Sequence, residues 1–124
     1  MPKQFILMIL GVMLLLPSCA MQTGRTEFDF GNSLARENLW NEALFRYQRA
    51  LLVIPQSAAL HNNLALTYEQ LGRMEEAEKE YRTALRLDPG NTQITSNLER
   101  FEKAKSGSLT NTFEKAKPGK PNEK

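Results

Sequence analysis

A chain of 124 residues with one cysteine and one histidine cannot furnish a two-histidine metal site, a cysteine-rich zinc site or an internal disulfide. Its length is that of one small domain. Sixteen Lys and Arg against fourteen Asp and Glu leave a net charge of +2, too balanced to predict nucleic-acid binding.

The first element is an apolar run from Phe5 to Leu16, preceded by Lys3 and interrupted only by Gly11. A bilayer span needs about 20 apolar residues; the shorter run fits the hydrophobic region of a secretory signal. The sequence Leu16-Pro17-Ser18-Cys19 then resembles the lipobox of bacterial lipoproteins, with Pro17 a less usual occupant. That resemblance implies a signal peptide over residues 1–18 and lipidation of Cys19 as the first residue of the mature chain. Ala20, rather than Asp, follows the cysteine. The resemblance therefore implies an outer-membrane destination, lipid-anchored and facing the periplasm. Ser18 and Ala20 are small residues two apart, so cleavage after Ala20 with release of a soluble protein stays open. Residues 19–26 are expected to form a linker.

The body repeats with a period of 34, set by Pro55 and Pro89. In that register Phe30 falls on Leu64, Gly31 on Ala65, Leu34 on Tyr68 and Trp40 on Met74. Ala43 falls on Ala77, Tyr47 on Tyr81, Ala50 on Ala84 and Leu51 on Leu85. Small residues recur where two helices must approach closely, and large ones at i, i+3, i+4 and i+7 mark buried stripes. Asn38 and Gly72 occupy equivalent places between helices, and both tolerate the left-handed conformation that ends a helix. The predicted helices are 27–37, 41–53, 58–71, 75–87 and 92–104.

The segments Leu64-Ala65-x-x-Tyr68, Ala77-x-x-x-Tyr81, Ala84-Leu85 and Asp88-Pro89 resemble the tetratricopeptide repeat (TPR). The resemblance implies an all-α solenoid of helix-turn-helix units: one repeat over 27–57, a second over 58–91 and a capping helix over 92–104. Residues 105–124, with five Lys against two Glu, are too poor in apolar groups to order themselves and read as a disordered basic tail. That tail either touches anionic headgroups or only solubilises the chain. Repeat arrays usually need about three units for stability, so either marginal stability alone or burial against a partner or a second copy is expected.

Nothing in the sequence assembles a catalytic site, and no cofactor or metal is expected. There is no glycine-rich phosphate loop. His61 falls on the packing face between helices and reads as structural. Glu75, Glu76, Glu78 and Glu80 read as a solvated face at a helix start, interleaved with Lys79 and Arg82. What remains is the concave surface that the first helix of each TPR pair presents to peptides. The resemblance places there Phe28, Asp29, Asn32, Ala35 and Arg36, then Ala59, Asn62, Asn63, Leu66, Glu69 and Gln70, then Gln93 and Asn97. Asn32 and Asn63 match the asparagines of the family's carboxylate clamp, whereas Phe28, Gln93 and Asn97 stand where it has cations. An amide-lined groove that bonds an extended peptide backbone is one reading; merely solvated amides are the other. The expected function is a membrane-anchored interaction scaffold of the bacterial envelope with a protein or peptide partner. A soluble periplasmic adaptor and a self-associating structural protein are the rivals.

Overall fold

The computed structural model describes residues 21–115. The expected signal peptide, Cys19 and the end of the basic tail lie outside the described residues. Within them the chain forms five α-helices and no strand: α1 (residues 21–36), α2 (Trp40–Leu51), α3 (Ala58–Gln70), α4 (Met74–Leu87) and α5 (Thr92–Lys115). The all-α helix-turn-helix architecture follows the 34-residue register.

Both hairpin turns close in the same way. Asn38 (φ 61°) and Gly72 (φ 73°) take the left-handed conformation. After α1, the Asn38 and Leu39 N–H groups donate to the Ala35 and Leu34 carbonyls at 3.1 and 3.0 Å. After α3, Gly72 and Arg73 donate to Glu69 and Tyr68 at 3.1 and 2.8 Å. This is the paired bonding of a Schellman motif, which satisfies carbonyls that the helix leaves open. The starts of α3 and α5 are capped by side chains, whereas those of α2 and α4 are not. Ser57 Oγ accepts the Leu60 N–H at 3.2 Å, and Asn91 Oδ1 accepts those of Gln93 and Ile94.

Each outer helix buries one stripe. That of α2 is Ala43, Leu44, Tyr47 and Ala50; that of α4 is Ala77, Tyr81 and Ala84. α3 lies between neighbours and buries residues on several sides, Leu60, Leu64, Ala65, Thr67 and Tyr68 among them. Ile94, Leu98 and Phe101 attach α5, with the Phe101 ring tilted against Tyr81 at a centroid distance of 5.5 Å. Burying a side chain the size of Phe101 contributes about 2 kcal/mol relative to leaving it in water.

Three expectations are corrected. Residues 21–26, expected as linker, are helical. Gly24 lies within α1, where its missing side chain lets the helix approach the α2–α3 turn. A Cβ there would lie 2.9 Å from Val53 Cβ. The boundary at 105 is also wrong, since α5 runs on to Lys115. Propagating an existing helix is cheap, and no proline occurs between Pro89 and Pro118. Lys105 reaches Glu78 at 2.6 Å and Ser106 Oγ donates to the Glu102 carbonyl at 2.9 Å. The glutamate run, finally, keeps its solvated Glu75 and Glu76 and the Glu78–Arg82 pair, and departs from the solvated reading at Glu80. Glu76 binds Arg73, Glu78 bridges Arg82 and Lys105, and Glu80 turns inward to meet Nδ1 of the buried His61. The other ring nitrogen of His61, Nε2, lies 2.9 Å from the Pro55 carbonyl, so the lone histidine pins α3 to α4 and to the preceding turn.

Candidate binding groove

The inner faces of α1, α3 and α5 are tied together by a ladder of asparagines. Asn97 Nδ2 donates to Asn62 Oδ1 at 3.0 Å, and Asn62 Nδ2 to Asn63 Oδ1 at 3.3 Å. Asn63 Nδ2 donates to Asn32 Oδ1 at 2.7 Å, and that oxygen also accepts the Tyr47 hydroxyl at 2.9 Å. The amides therefore point the same way along the row. Asn32 is its terminal acceptor, and among the described residues its own Nδ2 has no partner. Of the amides offered by the sequence reading, most are spent on one another. Asn62 is buried and has no face toward a ligand.

Beside the Asn32 end lies a cleft of about 450 Å³ lined by Asn32, Ala35, Arg36, Trp40, Tyr47, Asn63, Leu66, Thr67 and Gln70. It gathers six of the groove residues expected from sequence: Asn32, Ala35, Arg36, Asn63, Leu66 and Gln70. Trp40 and Tyr47 also line it, although their register marks them only as packing residues, and so does Thr67, which no sequence signal singles out. No local signal marks Trp40 as a cleft wall, since its register partner is Met74. Burial raises the Tyr47 hydroxyl above the usual tyrosine range, opposed by its contact with Asn63 and by the nearby Arg36. It stays a neutral donor to Asn32.

Glu69 sits in a different environment. Arg100 grips it with two bonds, at 2.7 and 3.0 Å, and the Tyr81 hydroxyl donates to it at 2.9 Å. Burial works against its charge, but Arg100 and Tyr81 outweigh this and hold the carboxyl below the usual range. The same arrangement pushes the Tyr81 hydroxyl far above the ordinary tyrosine value, first by burial and then by the facing carboxylate. Arg100 thereby joins α5 to α3, beside the Asn97–Asn62 bond. Gln93 is exposed at the start of α5. Phe28 leaves the amide groove altogether. Its ring lies 5.9 Å from that of Tyr47, and it lines a second cleft with Met21, Val53 and Ile54.

Among the described residues, no group of three or more His, Cys, Asp or Glu is placed to hold a metal. No helix among them is long and apolar enough to cross a membrane.

The tetratricopeptide repeat profile matches residues 28–92. The chain is 38% identical over 68 residues to "Inactive TPR repeat-containing thioredoxin TTL3" of Arabidopsis thaliana, covering 55% of this chain and 10% of that protein. It is 32% identical over 73 residues to "Sperm-associated antigen 1" of Rattus norvegicus, covering 59% and 8%. The chain thus spans about a tenth of these curated relatives. Among solved structures, the second TPR of Spaghetti (RPAP3), bound to the HSP90 peptide SRMEEVD, superposes with a TM-score of 0.64 at 27% identity, over 73% of this chain and 82% of that one. The profile covers 65 of the 124 residues: the chain belongs to the tetratricopeptide repeat family, whose members are generally non-catalytic protein–protein interaction modules.

Proposed function

We propose that the chain is a lipid-anchored adaptor of the bacterial envelope that holds an extended peptide segment of a partner protein in the cleft between α1, α2 and α3. The observation that carries this reading is the uncommitted Asn32 amide at the end of the ladder, facing a cleft with Arg36 and Gln70 at its exposed edge. Two N–H donors on a side chain fixed by two hydrogen bonds are preorganised for a peptide carbonyl. Trp40, Leu66 and Ala35 supply the apolar wall such grooves use.

The peptide-bound TPR of Spaghetti supports capture of a peptide as the mode of action. The chemistry here favours a different ligand from its acidic peptide. Arg100 is already spent on Glu69, and Phe28, Gln93 and Asn97 bring no charge. The chain has no catalytic role in this reading and needs no cofactor or nucleic acid. Anchoring rests on the apolar run from Phe5 to Leu16 and on Cys19 after Leu16-Pro17-Ser18.

Two measurements test the proposal. A photo-crosslinking residue at Gln70 should trap a partner in intact envelopes, and Asn32→Ala should reduce that yield severalfold with the helical circular dichroism unchanged. An unchanged yield removes the cleft assignment. Labelled palmitate should enter the wild type and not Cys19→Ser; incorporation that survives the substitution sinks the anchor.

A second reading, self-association, is favoured by the open end of the array. Phe30 is 46% exposed, whereas its register partner Leu64 is 1% exposed beneath the neighbouring repeat, and Phe45 nearby is 54% exposed. Sedimentation of the full chain reports on it directly. A monomer at high concentration excludes it.

A further inference from the structure

We infer that the end of the molecule formed by the first turns of α1 and the α2–α3 turn is a membrane-seating surface, inserted shallowly among lipid headgroups. This rests on the lipid-anchor reading above and adds an orientation to it.

The two repeats control for each other. In the 34-residue register, Leu52 corresponds to Arg86 and Ile54 to Asp88, while Val53 and Leu87 are apolar alike. At these two places the turn after α4 is polar where the turn after α2 is apolar. Leu52 and Arg86 are both exposed, so the fold asks for no apolar residue at this place. Leu52 is nonetheless a leucine, 85% exposed. Beside it, Val53, Ile54 and Pro55 form one wall of a cleft of about 530 Å³, whose opposite wall is Met21, Arg25 and Phe28. Met21 is 64% exposed. The two walls are in contact, since Gly24 packs against Val53 and Ile54.

Chain length says what covers this surface. Cys19 is two residues from Met21, at most about 7 Å of extended chain. A lipid on Cys19 therefore places Met21 within the headgroup region. Arg25 and Asp29, both on the cleft, carry opposite charges. The contact is thus driven by apolar burial, not by attraction to anionic lipid, and is insensitive to salt. The groove beside Asn32 lies on the same body and takes a fixed angle to the bilayer. A partner then meets it from one direction.

The test uses the full chain, purified from membranes with its native Cys19 and reconstituted into vesicles of phosphatidylethanolamine and phosphatidylglycerol at 3:1. Gln56→Cys carries an environment-sensitive fluorophore; an acylated Cys19 offers no thiol. Seating predicts blue-shifted emission that drops severalfold with headgroup-region nitroxide lipids and is unmoved by half-molar salt. A label at Glu99→Cys, on the exposed side of α5, keeps aqueous emission. Adding Met21→Gln and Leu52→Arg, which touch only exposed positions, abolishes the quenching at Gln56→Cys while the protein still floats with the vesicles. A vesicle-bound protein whose position-56 label stays aqueous overturns the seating alone. A blue-shifted label that nitroxide lipid does not quench overturns it in favour of a protein cover. Label on Cys19, with the chain in the soluble fraction, overturns the anchor and the seating together.

Discussion

Asn63 donates its side-chain amide to Asn32 Oδ1 across 2.7 Å, although the two stand 31 positions apart. The bond joins α1 to α3, and Asn63 is also the acceptor for the buried Asn62. Asn63→Ala therefore leaves the Asn62 amide donor without its acceptor, whereas Asn32 Oδ1 keeps the Tyr47 hydroxyl. The expected cost is about 1–2 kcal/mol, which lowers the melting temperature of a domain this size by about 4–16 °C. Asn32→Ala removes the other end of the same bond, so a double-mutant cycle should give a coupling of about 1 kcal/mol. Strict additivity in thermal denaturation would mean that the ladder is not a unit.

The Glu69 carboxyl has its own pH signature. Its folded-state value is depressed, because Arg100 and Tyr81 outweigh burial. A depressed carboxylate contributes stability that is present above its unfolded value and is lost as pH falls through the folded value. Glu69→Gln should then cost about 2 kcal/mol at pH 7, with the gap from wild type closing as pH falls below the ordinary carboxylate range. Denaturant midpoints at pH 7 and pH 3 measure it. A gap that is the same at both values would separate Glu69 from Arg100.

The contrast between these residues explains what the sequence makes legible. Ala43, Ala50, Ala77 and Ala84 are fully buried, and each could be placed by periodicity, because close packing leaves a regular imprint. Asn38 and Gly72 could be placed because backbone conformation is local. Side-chain partners are neither periodic nor local. Nothing near Glu80 says that it turns inward to His61, and nothing near Arg100 says that it will choose Glu69, 31 residues away. The resemblance names several residues that line the cleft, but which of their donors stay free could not be counted. Which amide binds which depends on inter-helix distances that only the assembled array sets.

Gly31 puts two effects in opposition. It lies inside α1, where alanine is favoured over glycine by about 1 kcal/mol. A Cβ there would stand 2.6 Å from Tyr47 Cε1, and the ring cannot swing aside without releasing its hydroxyl from Asn32. Overpacking of this kind costs about 1–3 kcal/mol, so the clash wins and Gly31→Ala destabilises. The register partner Ala65 carries its Cβ in the buried core, so the closer approach is a feature of the first repeat. Tyr47→Phe in the Gly31→Ala background recovers little, because the clash is with the ring and not the hydroxyl. Tyr47→Leu, which removes the ring, should reduce the penalty of the added methyl. An unchanged penalty in that background would show that the helices are not held apart at this contact.

His61 is the last side chain with conventional catalytic chemistry, and its environment decides its role. It is buried, and both ring nitrogens are engaged, one by the Pro55 carbonyl and one by Glu80. A general base must reach a substrate proton, and this ring has no free nitrogen to offer. His61→Ala removes two bonds and leaves the half-buried Glu80 carboxylate without its partner. The expected loss is about 2–3 kcal/mol, visible as a lower denaturation midpoint. Crosslinking from Gln70 at a temperature where the variant stays folded should match the wild type, since His61 touches neither the ladder nor the cleft. Loss of crosslinking with stability intact would reverse that assignment and make His61 part of the binding surface.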